Sequence, residues 1–137
     1  MLQVPEGAWF GFQVNISESG KPKVAPMVER YTFEKIDGED CTVAVECNGE
    51  PKGRIHTKTS FASSLFDFSQ LEKKGSENIN TNFGHFYANI YEGVVDGVSI
   101  RMYLGKDDIV FRRVISYDKG DALYSESREF CWSSIRI

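Results

Sequence analysis

The sequence predicts an all-β protein: a single antiparallel, up-and-down β-barrel of about eight strands, lipocalin-like, with at most one short helix. Three observations lead there. Apolar residues recur at every second position, as strands require, while helical periodicity is nearly absent. Asp-Gly and Asn-Gly pairs punctuate the alternating runs and mark tight hairpins. Eight antiparallel strands in 137 residues leave two exposed edges, and closing the sheet on itself removes both. A filled β-sandwich is the competing arrangement.

The elements follow in chain order. A first strand begins with Gly7-Ala8-Trp9 and continues through Phe10 to Val14. "VERYTFEKI" alternates Val28, Arg30, Thr32 and Glu34 against Glu29, Tyr31, Phe33 and Lys35. "IDGED" turns the chain into "CTVAVECN", where Cys41, Val43, Val45 and Cys47 share one face. "NGEPKG" is a further turn, followed by "RIHTKTSF" with Ile55, Thr57, Thr59 and Phe61 alternating. The stretch from Ser63 to Asn82 shows neither period and reads as a short helix or a long loop.

Alternation returns in "FGHFYANIYEGVV", and Asp96-Gly97 turns the chain into "VSIRMYL". That strand sets Val98, Ile100, Met102 and Leu104 against Ser99, Arg101 and Tyr103. "IVFRRVISY" places Ile109, Phe111, Arg113 and Ile115 opposite Val110, Arg112, Val114 and Ser116. A last strand runs from about Ala122 to Ile137. No repeat or linker divides residues 1–137, which read as one domain.

Composition narrows function. Net charge is −4 and the cations are interspersed with carboxylates, so no basic stripe points to nucleic acid. No uncharged run reaches membrane-spanning length, and no secretory leader is expected. Cys41, Cys47 and Cys131 form an odd set without Cys-x-x-Cys spacing, which argues for reduced thiols and a cytoplasmic setting, or the plastid stroma in a eukaryote. In such a setting the Asn15-Ile16-Ser17 sequon is a chance match. His56 and His85 lack ligand-like company, so no metal site is expected. Aromatic residues make up 13% of the chain, a generous supply of flat apolar surface.

Two sets of residues carry a family resemblance. "GAWF" at the start and Arg136 at the end are similar to the Gly-x-Trp and closing Arg of lipocalin-type barrels. There the guanidinium stacks on the indole and seals one end. The run from Asn89 to Gly120, with "REFCWSSIRI" after it and "VERYTFE" before, resembles the S-type phycobiliprotein lyases, a lipocalin-like (calycin) family. The match is strongest at Tyr91-Glu92 and at the Arg-bearing strand from Ile109 to Tyr117, and the chain departs from the family with "GFQV" after Trp9. The resemblance implies a protein that binds a bilin, phycocyanobilin or phycoerythrobilin, as substrate with no further cofactor. It would present or attach that open-chain tetrapyrrole, through a thioether, to a cysteine of a phycobiliprotein subunit, and a homodimer is compatible with that role.

Such a pocket needs aromatic walls, cations for the propionates and a carboxylate near the pyrrole nitrogens. Glu92 and Arg112 are the catalytic candidates. Arg101, Tyr87, Tyr103 and Phe111 are the ligand-binding ones, and Trp9 with Arg136 the barrel closure. Arg101 and Arg112 lie on the polar side of their strands, which is either the lumen or the solvent face. Cys131 sits between Phe130 and Trp132, an apolar setting that usually leaves a thiol inert. The same cup would equally serve a non-enzymatic lipocalin or fatty-acid-binding-type carrier of a small hydrophobic ligand. An interaction module with a filled core is the third reading.

Overall fold

A computed structural model describes residues 3–81 and 84–135. It is all-β, with ten strands where the sequence predicts about eight. They are β1 (Trp9–Glu18), β2 (Lys21–Pro22), β3 (Met27–Asp37), β4 (Asp40–Cys47), β5 (Glu50–Lys58), β6 (Glu72–Thr81), β7 (Gly84–Val95), β8 (Val98–Leu104), β9 (Val110–Lys119) and β10 (Ala122–Ser133). The two additional strands are the two-residue β2 and β6, which lies in the stretch that alternation left undecided. Nine of them form one antiparallel path, β5-β4-β3-β1-β10-β9-β8-β7-β6, with β2 paired to β1. Helical turns among the described residues are two 3-10 segments, Thr59–Phe61 and Lys106–Asp108.

The hairpins form where the turn chemistry is strongest. Asn48-Gly49 and Asp96-Gly97 both take positive φ at each residue, the backbone whose twist matches the flanking strands. β1 and β10, distant in sequence, lie side by side at the centre of the path. Trp9 N–H donates to Ser134 Oγ at 2.9 Å, and Ser134 N–H donates to the Trp9 carbonyl at 3.0 Å.

The first and last strands pair, as closing the sheet on itself requires, but among the described residues no ladder joins β5 to β6 and the sheet is open there. The segment 59–71 enters the gap instead. Its Ala62 and Leu65 are buried in the core, and the Ser63 carbonyl accepts a hydrogen bond from Val110 N–H at 3.2 Å. A segment crossing the inner face in this way occupies the space that a β5–β6 ladder would draw together. Both free edges are strongly charged, with Lys52, Arg54 and Lys58 on β5 and Glu72, Lys73 and Lys74 on β6, which discourages pairing with another chain.

The core is aromatic. Phe10, Phe12, Phe33 and Phe130 are fully buried, and Phe130 meets the rings of Phe10, Phe12 and Phe111 at centroid distances of 6.3, 6.0 and 5.9 Å. These edge-on and tilted contacts each add about 0.5–1.5 kcal/mol to the burial itself. Arg136 lies outside the described residues, and Arg30 covers the Trp9 ring, with Cζ 4.0 Å from its centroid. Trp132 packs edge-on against the same indole at 4.7 Å. Arg30 and Trp132 both stand opposite Gly11 in the register, so the three side chains share one face.

Candidate functional site

The inner face changes character along its length. Beyond the aromatic packing lie Tyr31 on β3, Arg113 on β9 and Glu126 and Arg128 on β10. Glu29 joins them from β3. Arg113 and Arg128 are direct cross-strand partners, and strand alternation puts them on the face of Met102 and Phe130.

Arg128 is saturated. Its Nε donates to Glu29 Oε1 at 2.7 Å and to the Tyr31 hydroxyl at 3.0 Å, and Nη1 pairs with Glu126. The Tyr31 hydroxyl donates in turn to Glu29 Oε1 at 2.6 Å. The Arg128, Glu29 and Glu126 side chains are only 12–15% exposed, so each needs the others to remain charged. Burial would lower the Arg128 pKa, but the hydrogen bond to Glu29 and the fields of Glu29 and Glu126 carry it above the usual value. Burial pushes the Tyr31 phenol far above the ordinary range, against the pull of Arg128.

Arg113 differs. Its guanidinium carbon lies 4.0 Å from the centroid of the Phe66 ring, and its buried Nε has no hydrogen-bond partner. No ion pair joins it among the described residues. Burial, and then the neighbouring Arg128 charge, lower its pKa, although a guanidinium still remains protonated in a protein.

These residues line a cavity of about 310 Å³. A second hollow of about 500 Å³, lined by Phe61, His56 and Lys58 among others, shares Ile55, Phe66 and Arg113 with the first. Together they form a trench divided by the Phe66–Arg113 contact, within the size range of small-molecule sites. The inner lobe carries four cations, Lys52, Arg54, Arg113 and Arg128, against the two carboxylates Glu29 and Glu126. Arg54 is held by Glu34 at 3.0 Å and Arg128 by its two glutamates. Lys52 and Arg113 remain without a carboxylate partner among the described residues. Lys52 and Arg54 are exposed on the edge strand β5, so the surplus positive charge stands at the rim of the lobe, above a buried set of Arg113 and Arg128 with Glu29 and Glu126.

The segment 59–71 forms one wall and is fixed locally. Ser64 Oγ lies 3.1 and 3.0 Å from the Phe61 and Phe66 carbonyls and shares its one hydroxyl proton between them. Ser69 N–H donates to Asp67 Oδ1 at 2.8 Å, and the hydrogen bonding of Ser69 lowers the Asp67 pKa. Phe68 packs on Phe61 and Tyr91 at 5.4 and 5.0 Å.

Four of the sequence-predicted residues are brought together, on the face opposite the trench. Glu92 pairs with its cross-strand partner Arg101 at 2.8 Å. Arg101 and Arg112 stand over Tyr103, at 5.3 and 5.2 Å from its ring centroid. Arg112 also donates to the Asn80 carbonyl at 2.6 Å and lies 3.7 Å from Glu129. Glu92 and Arg101 border a separate hollow of about 450 Å³. Phe111 is a core residue, stacked on Phe86 at 4.0 Å. Tyr87 is 66% exposed and borders none of these hollows. Cys131 is half-buried, its thiol directed to the Glu129 carbonyl at 3.5 Å, and no group of His, Cys, Asp and Glu suited to a metal ion occurs among the described residues.

Sequence reasoning passed over Glu29, Tyr31, Glu126 and Arg128 and placed no function on Arg113. The available signal was positional: each is a polar residue at an apolar-parity position, Arg113 between Phe111 and Ile115 and Arg128 two before Phe130.

No protein-family model matches the chain, and no curated protein matches it.

Proposed function

We propose that this chain is a carrier that holds a flat or elongated apolar molecule bearing acidic groups. Its cargo is an open-chain tetrapyrrole of the bilin class, presented to a phycobiliprotein cysteine. One observation supports the reading above others: an aromatic-walled trench that holds Arg113 without a carboxylate partner among the described residues, with Lys52 at its rim. A bilin needs rings to lie against and cations for its two propionates, and Phe66, Tyr31 and Arg113 are of those kinds. In this reading the protein keeps the pigment extended and shielded while the acceptor thiolate adds to it, so positioning is its contribution. Glu92, Arg101 and Arg112 serve the outer face and are not asked to touch the pigment.

The test is optical. Phycocyanobilin and phycoerythrobilin are titrated into the purified protein, and the visible band should sharpen and shift to the red at one equivalent. An apo-phycobiliprotein subunit is then added, and covalent pigment is followed by zinc fluorescence in a denaturing gel. Binding followed by faster attachment than with free pigment supports the carrier. An unchanged spectrum for both pigments rejects bilin as cargo. Binding of a fluorescent fatty acid in its place would assign the trench to a lipid carrier.

A further inference from the structure

Within the trench, Arg128 and Arg113 are neighbours of unequal standing. The two carboxylates of the inner lobe, Glu29 and Glu126, are both bonded to Arg128, with Tyr31 completing the set. Arg113 has the Phe66 ring 4.0 Å from its guanidinium carbon and a buried Nε with no acceptor. An unsatisfied buried donor on a charged group costs free energy that folding alone does not return. The shortfall would be made good by an acceptor from outside. Arg113 borders both lobes, so one acid group could reach it from either side of Phe66. The apolar walls Ile55, Phe66 and Leu65 suit a hydrophobic body behind that group.

We infer that Arg113 is the anchor for a carboxylate carried on an apolar ligand, bound in the trench with the acid group at the unpaired guanidinium edge. The inference rests on the trench being a ligand site and adds to it the chemistry of recognition. A carboxylate meets a planar guanidinium with directed, charge-assisted hydrogen bonds. Lys52, exposed at the rim of the inner lobe, adds a second positive charge for a ligand with two acid groups. Bilins and fatty acids both answer this description, one through propionates and the other through its head group.

The experiment compares acids with their neutral esters. Biliverdin and its dimethyl ester, and cis-parinaric acid and its methyl ester, are titrated into wild type, Arg113→Met and Arg113→Lys. In wild type the acid of the bound pair should bind at least about tenfold more tightly than its ester, the size of one hydrogen bond to a charged group. Arg113→Met should bring acid and ester to within about twofold, and Arg113→Lys should keep part of the preference because it keeps the charge without the fork. Which pair binds identifies the source of the carboxylate. Ligand-free melting supplies an independent readout: Arg113→Met should melt no lower than wild type, since it replaces an unpaired buried cation by an apolar chain of similar length.

Equal affinity for acid and ester in wild type overturns the anchor while leaving the trench as a ligand site. A preference that survives in Arg113→Met overturns it too, and a lower melting temperature in that variant would mark Arg113 as a structural residue. Failure of all four probes to bind rejects the trench itself, and the anchor with it.

Discussion

Arg112 and Arg113 are consecutive residues of one strand with opposite circumstances. Arg112 lies against Tyr103, close to Glu129, and donates to a carbonyl of β6. Arg113 is turned to the inner face, under Phe66, with a donor left over. The two differ by a single step of the pleat, which exchanges a satisfied environment for an unsatisfied one. The difference separates structural charge from charge held in readiness. A bulge sharpens the division: Tyr103 pairs with Arg112 but Leu104 pairs with Val110, so Phe111 is the unpaired residue that re-aims the strand.

The largest effect should come from removing the saturated neighbour. Arg128→Ala leaves Glu29 and Glu126 buried without their cation and should cost about 3–5 kcal/mol, read as a fall in the urea midpoint. A loss below about 1 kcal/mol would mean that Arg113 swings over to take both glutamates, erasing the contrast between the two arginines. Next is Gly105→Ala. A methyl group there would overlap the Phe111 ring, and displacing that ring should cost about 1–3 kcal/mol through overpacking. Thermal unfolding measures this, and an unchanged midpoint would show that Phe111 can leave the core freely.

Tyr31→Phe is smaller and has a pH signature. It removes one buried hydroxyl from the Arg128 network and should cost about 1 kcal/mol at neutral pH. The Tyr31 phenol is raised in the folded state, so the folded chain keeps its proton to higher pH than the unfolded chain. Its contribution is therefore complete below about pH 10, the ordinary tyrosine value, and is lost as pH rises through the folded value. Denaturant midpoints collected from pH 8 to 11 should fall more steeply above pH 10 in wild type than in Tyr31→Phe. Parallel curves would mean that the phenol is solvated. Least affected should be Arg112→Ala, whose contact with Glu129 is long at 3.7 Å and about a quarter exposed, at under about 1 kcal/mol. Equilibrium unfolding checks it, and a cost matching that of Arg128→Ala would put the two faces on the same footing.

Local features of this molecule were legible in the sequence, and its non-local ones were not. Asn48-Gly49 and Asp96-Gly97 write their turns into two residues, and β4 and β8 carry clean alternation. β6 was hidden because nearly all its side chains are exposed: Ile79 is the one buried residue of its ten, so no period of two is visible. Closure failed as an expectation because it depends on what enters the gap between β5 and β6, and nothing in "FASSLFDFSQ" announces that Leu65 will be buried. The outer cluster of Glu92, Arg101, Tyr103 and Arg112 did assemble, since cross-strand register alone brings those residues together. The trench was missed because a charge in a strand reads as a solvated one. Only packing reveals that Glu29, Arg113 and Arg128 face inward.

The pairing of β1 with β10 has a consequence for the order of events in folding. Trp9 and Ser134 are hydrogen-bonded across 125 positions of chain, and their strands occupy the middle of the sheet while the edges are built from hairpins between sequence neighbours. On a ribosome, β3–β4–β5 can assemble early as a meander, and β6–β9 can follow as a second one. The central seam must wait until β10 has emerged. Folding should accordingly be governed by one late, long-range docking of two preformed wings, on the order of milliseconds to seconds. Until then Phe10, Phe12 and Phe130 stand uncovered, and this interval is when the chain is most exposed to aggregation.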